Sequence, residues 1–130
     1  MNLLTTILLH PFTLVGFGGA AGSIARYWIG LWFRAQPWSQ QFHWGTFVIN
    51  LSGSLVLGVV AAVFKDRMGP GYLLLGTGFC GGYTTFSTFS LEVAEAIQKG
   101  RWDLAVLYAG TSVVGGFIAF AIAVAVMKSD

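Results

Sequence analysis

The stretch "GFCGGYTTFSTFS", residues 78–90, decides how this chain is read. It lies within Met68–Leu91, a segment with no charged side chain, where a plain lipid-crossing helix would be expected. Yet it carries five Ser and Thr hydroxyls, three glycines, and two phenylalanines, Phe86 and Phe89, three residues apart. Gly81 and Gly82 weaken a helix, and Thr84, Thr85, Ser87 and Thr88 offer side-chain hydrogen bonds that compete with it. The run therefore predicts a helix broken at mid-membrane. Carbonyls freed at such a break can coordinate a cation, while amides and hydroxyls can donate to an anion. Beyond the break, Phe86 and Phe89 share a face, and the positive edges of their rings tolerate a small anion without trapping it as a lysine would.

The rest of the chain supports a membrane setting. Of its 130 residues, 55% are hydrophobic and only 9% charged, with a mean hydropathy of +0.72. Soluble domains carry about 25% charged residues. Met1–Ala25, Ala35–Phe64, Met68–Leu91 and Leu104–Met127 all lack charge, and each can supply the ~20 apolar residues that cross a bilayer. The expectation is an all-α integral membrane protein, residues 1–130 forming a single domain of four transmembrane helices. Their bounds are roughly Leu8–Phe33, Gly45–Phe64, Gly71–Gln98 and Asp103–Met127, with Asp103 placed to cap the fourth. Trp32, Trp38, Trp44 and Trp102 fall at helix ends, where aromatic belts belong. No basic region precedes the first apolar stretch, so a cleaved signal peptide is not expected. The single cysteine, Cys80, excludes an intrachain disulfide and a cysteine-rich metal site. A net charge of +2 does not suggest nucleic-acid binding.

The flanking charges give no orientation. With four spans, Lys65, Arg67 and Lys128 fall on one side and Arg34, Lys99 and Arg101 on the other, with Arg26 inside helix one. The positive-inside rule is tied. Either one weak signal has been lost, or the chain inserts both ways and pairs antiparallel with itself, gaining the inverted symmetry that larger transporters build into one chain. Gly18 with Gly22, and Ser54 with Gly58, are small residues four apart that let helices approach closely.

No nucleophile, acid–base pair or metal cluster is visible, so an enzyme is not expected. The notable polar residues lie within spans, where they are costly and face protein or water. Asn50 and Ser54 form a patch in helix two, as a pore lining or an interhelical bond. Tyr108 and Ser112, four apart, begin a stripe in helix four that Gly116 continues. Arg26 pairs with a carboxylate or snorkels, and Glu92 lies near the end of helix three.

Taken together, "GGAAGSIARYWIG", "WGTFVINLSGSLVLG" and "GTGFCGGYTTFSTFS" followed by "EV" resemble the Fluc/CrcB family of small bacterial fluoride channels over nearly the whole chain. The resemblance implies antiparallel, dual-topology homodimers, multi-pass in the bacterial inner membrane, with two fluoride pathways for passive export and no nucleotide or nucleic-acid partner. It implies a structural sodium ion (Na+) at the dimer interface, held by main-chain carbonyls of Gly81 and Thr84. It places Phe86 and Phe89 beside the passing fluoride, and matches Asn50, Arg26, Thr46, Ser87, Thr88, Glu92, Tyr108 and Ser112 to polar positions of the pathway. Gly116 departs from the serine that some members carry.

Two other classes fit a short four-helix chain. A proton-coupled multidrug exporter needs a carboxylate in helix one, which here has Arg26 instead. An assembly subunit has no reason to line a broken helix with hydroxyls and ring edges.

Overall fold

The computed structural model describes residues 2–129, and among these all regular structure is helical. A short helix, α1 (Leu3–Leu8), is capped by Asn2, whose Oδ1 accepts from the Thr5 amide at 2.8 Å. The long α2 (Pro11–Arg34) follows. Expectation had one helix run through from Leu8; instead the chain stops at Leu9–His10 and restarts at Pro11. Proline lacks an N–H and clashes with the carbonyl four residues back, so it starts a helix well and continues one badly. A 3₁₀ turn (Pro37–Gln41) leads to α3 (Trp44–Val63), within a residue of its expected bounds.

The third expected span is a composite. A single α-turn, α4 (Pro70–Tyr72), passes into eight residues of π-helix (Leu73–Cys80) and then into α5 (Gly81–Tyr83). Thr84 and Thr85 are extended, and α6 (Phe86–Gln98) begins beyond them. The break is real but lies downstream of the glycines: Gly81 keeps helical angles (φ −63°, ψ −38°), whereas Thr84 has ψ 157° and Thr85 ψ 117°. Gly100, at φ +72°, makes the left-handed turn into α7 (Trp102–Lys128). Asp103 does not cap α7. The cap position is Arg101, and Asp103 lies in the first turn, its carboxylate taking two 3.0 Å bonds from the Arg101 guanidinium. There it still complements the positive end of the helix dipole.

Packing follows the small residues. α2 runs along the π-helix and α5, while α3 runs along α7. A Cβ on Gly18 would meet the Leu74 carbonyl, and one on Gly22 the Phe79 carbonyl and, at 2.8 Å, the Tyr83 amide. The GxxxG pair is therefore the seam between α2 and the broken span. Gly58 does the same against α7, where a Cβ would lie 2.7 Å from that of Ala123.

The apolar surface faces outward. Phe12, Trp28 and Phe117 are each more than 70% exposed. Among the described residues, α3 and α7 are single helices long and apolar enough to cross a membrane. A core helix of a soluble protein would be mostly buried; only 6% of the apolar window of α7 is. Such a surface needs lipid or a partner.

Candidate functional site

The break at Thr84–Thr85 organises the site, and α3 completes it. Two extended residues strand an N–H and a C=O that a helix would have paired, and an apolar setting makes each costly. Asn50 satisfies both: its Oδ1 accepts from the Thr85 amide at 2.8 Å, and its Nδ2 donates to the Thr85 carbonyl at 3.0 Å. A carboxamide alone among side chains presents a donor and an acceptor with this spacing. On the far side, Thr85 Oγ1 accepts from the Thr88 amide at 3.1 Å and so caps α6. That hydroxyl also lies 3.1 Å from Thr88 Oγ1 and 3.3 Å from Ser87 Oγ.

The upstream end is held from α2. Arg26 Nε donates to the Gly82 carbonyl at 3.0 Å, with Ser23 Oγ 3.4 Å from the same oxygen. Arg26 thus neither snorkels nor pairs with a carboxylate. Thr84 bonds back to the Cys80 carbonyl through its amide and its hydroxyl. The carbonyls of Gly81 and Thr84 accept no hydrogen bond from any described residue. Both residues line a concavity of about 360 Å³, open at the protein surface and also lined by Asn50, Ser54 and Phe86.

A second cavity, about 310 Å³, lies on the other side of Thr85 and is lined by Arg26, Arg34, His43, Thr46, Thr88 and Glu92. Here Glu92 is held by two hydroxyls. Thr46 Oγ1 donates to its Oε1 at 2.9 Å, and Tyr108 OH to its Oε2 at 2.6 Å. Thr46 and Tyr108 are buried, Tyr108 completely. The Phe89 ring bridges to this cluster, 5.2 Å from Tyr108 and 5.8 Å from Phe86, while Phe86 itself is 78% exposed.

One turn further along α7, Ser112 Oγ is buried and has no hydrogen-bond partner. A buried unpaired hydroxyl costs about 1–3 kcal/mol, so it calls for an explanation. The residue borders an open groove shared with Ser54, Gly116 and Phe117. Ser54 Oγ, which donates to the Asn50 carbonyl at 2.8 Å, lies 3.5 Å from where a Cβ on Gly116 would be. Where a serine would stand at Gly116, the neighbouring hydroxyl comes from α3.

The structure therefore brings Arg26, Asn50, Thr88, Gly81 and Thr84 around the break, gathers Thr46, Glu92 and Tyr108 at one end, and leaves Ser112 as a separate station. Ser87 is exposed at the start of α6. Sequence reasoning missed two participants. Thr85, read as one hydroxyl among several, is the residue Asn50 clamps. His43, which took no part in that reading, has its Nδ1 3.8 Å from Glu92 Oε1; its position three residues before Thr46, one helical turn away, was the available signal.

Comparison with known proteins gives a consistent result. Residues 13–124 match the family model described as "CrcB-like protein, Camphor Resistance (CrcB)". A protein of Gloeobacter violaceus named "Fluoride-specific ion channel FluC" is 46% identical over 114 residues, 86% of this chain and 91% of that one. Proteins of the same name from Leptospira interrogans (46% identical, 85% of this chain and 87% of the relative) and Chloroflexus aurantiacus (42%, covering 89% and 94%) match similarly. These relatives are channels by name, in keeping with the absence of enzymatic chemistry expected from the sequence.

Proposed function

This chain belongs to the CrcB-like family, and from that premise we propose that it is a fluoride-selective channel, passing the ion passively out of the cell across the bacterial inner membrane. The working unit is an antiparallel homodimer in which each copy crosses the bilayer four times, with two fluoride pathways. The tied flanking charges and the exposed apolar faces of α2 and α7 support that arrangement.

The observation that carries the reading is the row of neutral donors set in apolar helices. Fluoride is small and strongly hydrated, so a pathway must replace water's hydrogen bonds, yet hold the ion nowhere too tightly. The Asn50 amide, the hydroxyls of Ser87, Thr88 and Ser112, and the edges of Phe86 and Phe89 supply partners without fixed charge. The unpaired Ser112 hydroxyl finds its missing partner in such an ion or its water. Arg26 and Arg34 in the cavity beside Thr46 and Glu92 raise the local anion concentration at one mouth. Movement is driven by the fluoride gradient and the membrane potential alone.

Gly81 and Thr84 suit a structural sodium ion. Their carbonyls are unpaired, they border a surface concavity, and no cluster of His, Cys, Asp or Glu that could hold a metal lies among the described residues. The carbonyls of one chain are too few for a cation. A second copy across a two-fold axis doubles the set, so the ion would hold the dimer together.

Release of fluoride from liposomes, with chloride followed in parallel and potassium with valinomycin balancing charge, tests the reading. Fast fluoride release without chloride release supports it. No release from folded protein overturns it.

A further inference from the structure

We propose that His43 is a proton-sensitive positioning residue for the Glu92 cluster: protonated, it draws Glu92 Oε1 off the Thr46 hydroxyl and frees that donor for the passing anion. The inference rests on the channel reading above. Its starting point is a distance. His43 Nδ1 lies 3.8 Å from Glu92 Oε1, within ion-pair reach but too far for a hydrogen bond, while that same oxygen is occupied by Thr46 Oγ1 at 2.9 Å. A neutral imidazole leaves the carboxylate where it is. An imidazolium competes for it, because two opposite full charges at this distance attract more strongly than a hydroxyl dipole and a carboxylate do.

The surroundings allow the competition. His43 stands at the cap position of α3 but makes no side-chain capping bond, so its ring is uncommitted. The ring leans on Tyr108 at 5.1 Å and is 29% exposed. It borders both the 310 Å³ cavity and a second polar one of about 240 Å³, so water and protons reach it. The charges facing it come from three elements. From α6, the carboxylates of Glu92 and Glu95 face it, with Lys99 just beyond that helix's end. Before α7, Arg101 is neutralised by Asp103 at 3.0 Å. From α2, Arg26 and Arg34 line the larger cavity together with it, as does Tyr27. Glu92 is the group at ion-pair distance, and proximity makes it decisive. Protonation also adds a positive charge to a mouth that already holds two arginines, which favours anion entry. Histidine is the side chain whose charge changes between about pH 5 and 8. Throughput should therefore rise as pH falls.

The experiment measures fluoride release from proteoliposomes with the same pH on both sides, at about pH 7.5 and about pH 5.5, subtracting the leak of protein-free vesicles. The expected result is a rise of roughly threefold or more toward acid pH in the native chain and none in His43→Gln. A flat native profile, or a rise that survives in His43→Gln, overturns the proposal. In a His10→Gln background, His43 is the sole imidazole and its titration can be followed by NMR. Glu92→Gln should lower its midpoint; an unchanged midpoint also overturns the proposal. Absence of fluoride release at both pH values overturns the channel reading itself, and is separable because the NMR midpoint reports the His43–Glu92 coupling without transport.

Discussion

Replacing Asn50 with alanine should unfasten the break in the third span. Asn50 makes two bonds to the backbone of Thr85, at 2.8 and 3.0 Å, and the described structure offers neither group another partner. Each hydrogen bond is worth about 1 kcal/mol net, and a buried backbone group left unpaired costs about 1–3 kcal/mol. Transmembrane polar interactions run smaller, averaging about 0.6 kcal/mol, because alternative partners are found in the bilayer. For two groups at once, Asn50→Ala should destabilise the fold by about 2–3 kcal/mol. Asn50→Asp should cost less, because its carboxylate still accepts from the Thr85 amide, but it faces the Thr85 carbonyl with no donor and places a negative charge on an anion's path. Chemical unfolding in detergent, followed by tryptophan fluorescence, gives the stability. Hydrogen exchange at the Thr85 amide gives the local effect, and fluoride release the functional one. Asn50→Ala should lose stability, Thr85 protection and transport together. An alanine variant within about 0.5 kcal/mol of the native chain, with Thr85 still protected, would refute the clamp.

Two further substitutions separate packing from function. Gly22→Ala should destabilise by about 1–3 kcal/mol, because its methyl meets the Phe79 carbonyl and Tyr83 amide on a backbone that cannot rotate away; native stability on detergent unfolding would show that α2 does not seat there. Ser112→Ala should do the reverse: removing a buried unpaired hydroxyl leaves stability unchanged or raises it by about 1 kcal/mol, while fluoride release falls. Loss of stability with intact release would make Ser112 a structural residue.

The sequence announced some of this geometry and concealed the rest for physical reasons. The break was legible because hydroxyls and glycines in an uncharged run have few other uses. Its position was not: Gly81 and Gly82 are the weakest helix formers there, yet both stay helical, and at Gly82 a bare Cα is what lets α5 lie against α2, where a Cβ would strike the Gly19 carbonyl. The residues that open are Thr84 and Thr85, and Asn50, 35 positions before Thr85, pairs with the amide and carbonyl that Thr85 exposes. Local propensity cannot see such a partner. Arg26 was visible as an intramembrane cation, but its target is the Gly82 carbonyl, a backbone atom with no signature in sequence. Glu92, Thr46 and Tyr108 were each marked as polar positions; that one carboxylate holds both hydroxyls depended on how α3, α6 and α7 meet. The π-helical run at Leu73–Cys80 had no signal at all, although its residues, apolar and glycine-bearing, are those on which α2 packs.

The most direct test of the central claim is fluoride efflux from proteoliposomes carrying the native chain or Phe89→Ile, with a fluoride electrode outside and chloride as the control anion. Phe89 touches both Phe86 and Tyr108, and isoleucine keeps the apolar bulk while removing the ring edge. The account predicts rapid, chloride-free release from the native protein and its loss, by an order of magnitude or more, in a variant that still folds. Equal release from both would contradict a pathway along the rings, and no release from the folded native protein would contradict the channel itself.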